Sequence, residues 1–404
     1  AAMSEKQKLE LYIHIPFCVS KCRYCDFLSG ESTPEAQRAY VNQLIEEIRA
    51  QGQILPEYQL SSIFIGGGTP SILSGLQIQN IISAVYENFV VEADAEISIE
   101  CNPGTLDATK LEYYREAGIN RLSLGLQSAD DEELKLLGRI HSYNDFLHSY
   151  ELARAAHFDN INIDLMSGIP HQTLHKWRQS LKKVLRLHPE HISAYSLIIE
   201  PGTPFATLYG SEEGQKALPG EDEEREMYAE TKTLLEEYGF TRYEISNYAR
   251  PGKECRHNIG YWTGVDYLGV GLGASSKLKH HRFHSEERLD RYMAVEMHRD
   301  LMPLYQDLVA LTVADEMEEF MYLGLRMTKG VSGADFYDLF HLNMFDLFGD
   351  AIRKNTALGL LEVDTPMLRL TERGIDLSNR VFADFYEVLP RNQALFPDDP
   401  RNLF

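Results

Sequence analysis

Short apolar runs rich in β-branched residues alternate with amphipathic stretches over more than half of the chain. The apolar runs predict β-strands at residues 9–15, 61–65, 95–100, 121–125, 160–165 and 191–199. Apolar residues spaced three and four apart predict helices at residues 36–50, 76–88, 106–117, 143–156, 174–187 and 221–238. This succession of six strand–helix units indicates an α/β protein with a parallel sheet, either curled into a full or partial barrel or open and doubly wound. Periodicity alone does not decide between these arrangements.

The pattern changes after residue 240. Residues 241–300 are rich in Gly, Tyr and His and show no clear amphipathic helix, so we expect a connecting segment of loops and extra strands. In residues 301–404, helical patterns at 316–327, 334–340 and 345–354 precede a β-pair at 360–363 and 368–371, which is typical of a winged-helix-like module. Residues 1–8 are polar and we expect them to be disordered, with residues 1–3 a cloning remnant ahead of the natural start. The predicted core domain is therefore 9–240.

Composition narrows the class of protein. With 404 residues, 44% hydrophobic and 25% charged, the chain is long enough for a large core. It has no apolar run of about 18 residues and no apolar signal-peptide core, so we expect no membrane span and a cytoplasmic location. The net charge of −22 argues against nucleic-acid binding. Residues 301–404 hold 17 acidic and 9 basic residues, so a protein-contact role suits the C-terminal module better than DNA binding.

Three of the five cysteines lie close together directly after the first predicted strand. Cys18, Cys22 and Cys25 have the spacing C-x₃-C-x₂-C. Structural zinc and most cubic [4Fe–4S] clusters take four ligands, so three thiolates would leave one iron of a cluster open. An open iron can chelate the amino and carboxylate groups of a small ligand. The alternative is a Cys₃His zinc site that uses His14 or a distant histidine. The motif resembles that of the radical S-adenosyl-L-methionine (SAM) family.

The resemblance extends along the chain to the anaerobic, oxygen-independent coproporphyrinogen III oxidase group. The matching segments are residues 12–18 (YIHIPFC), 66–70 (GGGTP), 100–104 (ECNPG), 121–127 (RLSLGLQ), 138–139 (GR) and 162–170 (NIDLMSGIP). The resemblance implies a partial (β/α)₆ barrel, and it implies SAM contacts for residues at or after the strand ends. These are Tyr12, Tyr24, Gly67, Gly68, Thr69, Glu100, Gln127, Arg139, Asp164 and Ile198. Glycines allow close backbone approach, carboxylates suit a ribose diol, and an arginine suits a carboxylate.

Two departures from the oxidase pattern favour another branch of this group. Phe27 stands where the oxidases have a fourth cysteine, and few residues precede the first strand. Residues 255–262 (CRHNIGYW) instead resemble the HemW-type heme chaperones. Because a heme site needs an axial His or Cys and flat aromatic walls, His257, Tyr261, Trp262 and Cys255 are the heme candidates. The alternative is that the tryptophan fills the core and the histidine forms local hydrogen bonds.

The sequence therefore predicts a heme chaperone that binds heme and transfers it to an unidentified acceptor protein. It would carry a [4Fe–4S] cluster and SAM, and would need an electron donor if SAM is cleaved. The first alternative is a radical SAM enzyme acting on a tetrapyrrole, such as an oxygen-independent coproporphyrinogen III oxidase. The second is a non-catalytic iron–sulfur scaffold whose C-terminal module docks a partner.

Overall fold

The computed structural model describes residues 6–390, and twelve strands in this range form one sheet in the order β12-β11-β10-β9-β1-β2-β3-β4-β5-β6-β8-β7. The strands are β1 Gln7–Ile15, β2 Tyr58–Gly67, β3 Val90–Cys101, β4 Arg121–Gln127, β5 Ile161–Ser167, β6 His191–Ser196, β7 Thr241–Arg242, β8 Asn247–Ala249, β9 Tyr267–Val270, β10 Ser275–Leu278, β11 His281–Ser285 and β12 Tyr305–Ala310. Strands β1 to β6 run parallel to one another. All six predicted strands are confirmed, with ends that differ by a few residues.

The parallel strands β1 to β6 are neighbours in their order along the chain, so right-handed connections place the helices between them on one face of the sheet, as in a (β/α) barrel. In the core and the segment after it they are α1 Pro34–Ile54, α2 Gly75–Asn88, α3 Ala108–Ala117, α4 Asp131–Leu136, α5 Tyr143–Ala155, α6 Leu174–Leu185, α7 Pro204–Tyr209, α8 Glu212–Gln215, α9 Glu221–Glu237, α10 Arg256–Thr263 and α11 Leu289–Ala294. Side-chain caps begin several of them; Ser74, for example, forms a capping box with Gln77. The predicted α/β class and partial (β/α)₆ barrel are confirmed.

Additional strands extend the parallel sheet at both edges. On one side β8 pairs antiparallel with β6, and β7 with β8. On the other side β9 lies parallel to β1, and β10, β11 and β12 follow in antiparallel order. The sheet thus continues to Ala310, inside the range that the sequence assigned to the C-terminal module.

A smaller unit follows β12. It has a three-stranded sheet of β13 Val331–Ser332, β14 Leu361–Asp364 and β15 Met367–Leu370, in the order β13-β15-β14. Its helices are α12 Val313–Gly324, α13 Gly333–Phe340, α14 Met344–Leu347, α15 Gly349–Ala357, α16 Glu372–Asp376 and α17 Ser378–Ala383. Met321, Phe336 and Phe348 belong to a hydrophobic cluster separate from the main one. Helices followed by a β-pair match the predicted winged-helix-like order.

Three features differ from the expectations or limit them. The segment 241–300 contains the helix α10, although its sequence shows no amphipathic pattern that would predict a helix. Of residues 1–8, the first five lie outside the described part, and β1 already begins at Gln7. Within the described part, none of the helices combines the length and the apolar character that crossing a bilayer requires.

Candidate cofactor and ligand site

The three clustered cysteines lie on a loop that leaves the end of β1. A bridge between Phe17 and Gly30 closes this loop, and the Cys18 N–H donates to the Gly30 carbonyl at 2.9 Å. All three thiols are free; Cys18 is buried, and Cys22 and Cys25 are half-buried. The loop therefore presents its thiols at the carboxyl end of the first barrel strand, where α/β folds place their chemistry.

The three thiols of the loop lie close enough to affect one another electrostatically. Burial raises the pKa of the Cys25 thiol, and the neighbouring Cys22 and Cys18 add to that shift, so the three sulfurs are within electrostatic reach of one another. Among the described residues, however, no three His, Cys, Asp or Glu side chains lie close enough to hold one ion. The three free thiols are the residues that the sequence assigns to the [4Fe–4S] cluster.

The glycine loop at the end of β2 packs directly against the cysteine loop. Gly67 has φ 127°, which favours glycine. A Cβ atom at Gly68 would lie 2.7 Å from the Cys18 sulfur, so only a residue without a side chain leaves room there. The Gly68 and Thr69 N–H groups donate to the carbonyls of Ile15 and Phe17, at 2.9 and 2.7 Å. The two loops therefore form one structure around the sulfur atoms.

Carboxylates from β3 and β5 lie beside these loops. Glu100 Oε2 accepts from the Gly67 N–H at 3.3 Å, and Asp164 Oδ1 accepts from the Asn162 amide at 2.8 Å. Burial, reinforced by the charge of Asp164, raises the pKa of Glu100 to about 8. Burial also raises the pKa of Asp164. Two buried carboxylates near each other are costly without a partner, and the hydroxyl pair of a ribose would supply donors to both.

Arg139 joins the carboxyl end of β4 to the cysteine loop. Its Nη2 donates to the Gly125 carbonyl at 2.5 Å, and its Nη1 to the Cys22 sulfur at 3.5 Å. Its Nε is buried and has no hydrogen-bond partner in the described part of the chain. An unused N–H on a fixed guanidinium suits a ligand carboxylate, so this group fits the amino-acid end of SAM.

The remaining SAM candidates lie around the same edge. The Tyr12 hydroxyl is hydrogen-bonded to His14 Nδ1 at 3.0 Å. The ring of Tyr24 lies 6.4 Å from that of Phe205 and its hydroxyl is close to Cys22 and Arg139. Gln127 ends β4 with φ 70°, whereas Ile198 lies beyond the end of β6 and is 67% exposed.

His257 is buried within the protein on α10. One ring nitrogen is hydrogen-bonded to Ser62 Oγ at 2.7 Å, the other to the Tyr261 hydroxyl at 2.6 Å, and the ring stacks on Phe64. Burial, with a smaller effect of Arg121, lowers the pKa of His257 to about 3, so the ring is neutral. Both ring nitrogens are thus engaged in hydrogen bonds inside the protein in this conformation.

Cys255 lies at the N-terminus of the same helix and is fully buried. Its sulfur contacts Glu96 Oε1 at 3.5 Å, and burial raises the pKa of the thiol to about 12. A thiol that stays protonated at neutral pH and faces a buried carboxyl is not available as an iron ligand in this conformation.

A cleft of about 630 Å³ connects the cysteine loop, α10 and the C-terminal unit. Its lining residues are Tyr12, His14, Phe27, Leu28, Tyr261, Trp262, Gly264, Val265, Tyr267, Gly273, Ala274, Ser275, Lys277, Arg282, Tyr322 and Leu323. The Arg326 guanidinium lies 4.3 Å from the centre of the Trp262 ring. The Trp262 Nε1 has no hydrogen-bond partner within residues 6–390. Sequence reasoning missed Lys277, Arg282 and Tyr322, because they lie outside every motif that the sequence shows.

The sequence models of two protein families match parts of the chain. That of the radical SAM superfamily matches residues 12–184, and that of the HemN C-terminal domain matches residues 311–377. The solved structure of coproporphyrinogen III oxidase (HemN) from Escherichia coli, a radical SAM enzyme, is similar with a TM-score of 0.81 and 26% identity. That match covers 95% of this chain and 91% of the oxidase.

Curated relatives are similar over most of their length. The heme chaperone HemW of Bacillus subtilis (strain 168) is 37% identical over 93% of this chain and 98% of its own. HemW of Escherichia coli (strain K12) is 41% identical over 67% of this chain and 70% of its own. Radical S-adenosyl methionine domain-containing protein 1, mitochondrial, of Mus musculus is 34% identical over 92% of this chain and 86% of its own.

Proposed function

This chain belongs to the HemW family within the radical SAM superfamily, and from that premise we propose that it binds heme in the cleft beside α10 and transfers it to an acceptor protein. The acceptor is a protein that docks near the cleft, and the free cysteines fit a reducing cytoplasm. An electron donor is also needed wherever SAM is cleaved.

The radical SAM core holds a [4Fe–4S] cluster and SAM. We propose that Cys18, Cys22 and Cys25 bind the cluster, that Arg139 pairs with the carboxylate of SAM, and that Glu100 and Asp164 accept from its ribose hydroxyls. When bound, a reduced cluster of this kind supplies one electron to the sulfonium of SAM. The two glycines of the β2 loop keep side chains away from that place.

One observation carries the heme proposal: the cleft places the aromatic residues of α10 next to the cysteine loop. Tyr261 and Trp262 line it together with Phe27 and Leu28 of that loop and Tyr322 of α12. Flat aromatic walls bury the face of a macrocycle well. Its volume lies within the usual range of about 300–1,000 Å³ for ligand sites. Phe27, at the position of the missing cysteine, is 64% exposed and available for contact.

Heme titration tests the proposal, and tryptophan fluorescence can report directly on the proposed heme site. It has two tryptophans, and Trp177 lies fully buried in the core with its Nε1 donating to Thr231. In a Trp177→Phe variant, Trp262 is the only tryptophan. We expect heme to shift the Soret band and to quench this fluorescence with the same dissociation constant.

The matched variant is Trp262→Phe, in which Trp177 reports from the core. Heme should quench it less, and its affinity for heme should fall. A Soret shift without quenching of Trp262 would place heme elsewhere. No Soret shift with wild-type protein would leave the iron–sulfur scaffold as the better description.

The similarity to the coproporphyrinogen III oxidase structure favours a second candidate, a radical SAM enzyme acting on a tetrapyrrole. Anaerobic incubation of the cluster-loaded protein with coproporphyrinogen, SAM and a reductant, followed by product analysis, tests it. We expect no protoporphyrinogen, because Phe27 replaces the fourth cysteine of the oxidase pattern. A stoichiometric or higher yield would reverse the ranking.

A further inference from the structure

Two cations from the extended sheet line the cleft on the side of the C-terminal unit. Lys277 of β10 and Arg282 of β11 are neighbours in register and both face α12. Arg282 Nη1 donates to Glu319 Oε1, and Lys277 Nζ lies 3.7 Å from Glu319 Oε2. Glu319 of α12 is therefore the shared partner of both cations, and this pairing joins the C-terminal unit to the sheet.

The charged groups of Lys277 and Glu319 lie near each other without forming a hydrogen bond. Lys277 is 9% exposed, yet its Nζ is 3.8 Å from Glu316 and 3.7 Å from Glu319, distances longer than a hydrogen bond. Glu319 Oε2 is buried without a hydrogen-bond partner in the described part of the chain. Lys277 thus makes no hydrogen bond to either glutamate, and a buried carboxylate oxygen without a partner carries a desolvation cost. A ligand carboxylate in the cleft would give the cations better-bonded partners.

We propose that Lys277 and Arg282 bind the carboxylate groups of an acidic, flat ligand in the cleft, and that this ligand displaces Glu319. The inference rests on the proposed function, because the two propionate groups of heme make it a ligand of this kind. Binding then weakens the connection between α12 and the sheet, so the loaded protein differs from the empty one at the surface where its C-terminal unit meets the core.

The two neighbouring glutamates explain why the displacement is confined to one residue. Glu316 is hydrogen-bonded to His280 Nδ1 at 2.8 Å, so it keeps a partner when Lys277 turns to the ligand. Glu318 accepts from the N–H groups of Val388 and Leu389, at 3.0 and 2.8 Å, inside the C-terminal unit. Helix α12 thus stays folded while Lys277 and Arg282 exchange their contacts with Glu319 for contacts with the ligand.

The test compares heme with its dimethyl ester, which has the same ring but no carboxylates. Lys277→Gln and Arg282→Gln should each weaken heme binding about tenfold or more, as expected for the loss of a charge-assisted hydrogen bond. Neither should change binding of the ester. The matched control is Lys279→Gln: Lys279 is equally buried but pairs with Glu57 at 2.6 Å and does not line the cleft. It should leave both affinities unchanged.

A second variant separates this mechanism from simple loss of folding. Glu319→Gln removes the competing charge, so it should tighten heme binding severalfold, a result that misfolding cannot produce. Hydrogen exchange of α12 in wild-type protein should increase when heme is added. If heme binds but the Lys277 and Arg282 variants bind it equally well, or if Glu319→Gln weakens binding, this inference fails and the proposed function stands. Failure of wild-type protein to bind heme overturns both.

Discussion

We expect the stability of the protein to depend on pH because of Glu10, a buried carboxyl that lies next to helix α10. This carboxyl is 3% exposed, its Oε2 lies 3.6 Å from His257 Nδ1, and that oxygen has no hydrogen-bond partner within residues 6–390. A Cβ atom at Gly260 of α10 would clash with the same carboxyl. Burial, reinforced by Glu96, raises the pKa of Glu10 from 4.5 to about 9. The residue is therefore a protonated acid at neutral pH.

The sign follows from the two pKa values. Between pH 4.5 and about 9 the unfolded carboxyl is ionised and the folded one is protonated, so folding takes up a proton. The free energy of unfolding therefore falls by about 1.4 kcal/mol for each pH unit in that window. At pH 7 the accumulated loss from this one group is about 3 kcal/mol. Glu10→Gln keeps the shape and removes the titration, so it should stabilise the protein at pH 7 and above.

Equilibrium guanidinium unfolding, followed by tryptophan fluorescence, measures the effect from pH 5 to 8. The stability of Glu10→Gln relative to wild type should increase by about 4 kcal/mol across that range. Other buried carboxyls, such as Glu47 with a pKa raised by burial to about 7, titrate in both proteins and cancel in the difference. A difference that stays constant with pH would refute the reasoning, because Glu10 would then be ionised in the folded state.

Further substitutions test the cofactor site. Gly68→Ala places a methyl group 2.7 Å from the Cys18 sulfur, so iron and sulfide content after anaerobic reconstitution should fall while the circular dichroism spectrum is retained; full iron content would contradict the packing argument. Arg139→Lys keeps the charge but loses the planar fork, so SAM affinity in equilibrium dialysis should weaken about tenfold. Cys255→Ser should keep the cluster absorbance, whereas Cys22→Ser should lose it; equal losses would show that the buried thiol is a ligand.

The barrel was predictable because most of its strands are largely buried; in β4, for example, every residue except Gln127 is buried. Helical patterns before and after each such segment in the sequence favour a parallel strand. The first half of β3 was missed because Val90 and the polar residues after it are exposed or half-buried and give no apolar signal. Helix α10 was missed for a related reason: only His257 and Gly260 of its residues are buried, so it has no apolar stripe. The left-handed Gly264 that ends it was the available signal.

The candidate site was predictable where a motif follows a strand. Glu100 and Arg139 meet near the cysteine loop because the carboxyl ends of parallel strands share one edge. The orientation of His257 was not predictable, since a residue type suited to iron is equally suited to two hydrogen bonds inside the protein. Lys277 and Arg282 could not be assigned to the cleft either, because their role depends on the antiparallel strands beyond β1, and the sequence gives no pairing order for those strands.

The cleft is lined by residues of both the barrel and the C-terminal unit, so substitutions in these two parts have different consequences. Tyr12 and Phe27 line the cleft from the barrel edge and the cysteine loop, whereas Tyr322 and Leu323 come from α12 of the appended C-terminal unit. Substitutions on α12 therefore alter the shape and charge of the ligand cavity without touching any residue assigned to SAM. A lineage that keeps one radical SAM core can in this way change its cargo by altering a single neighbouring helix, and relatives with the same barrel can diverge in substrate while their cofactor chemistry stays the same.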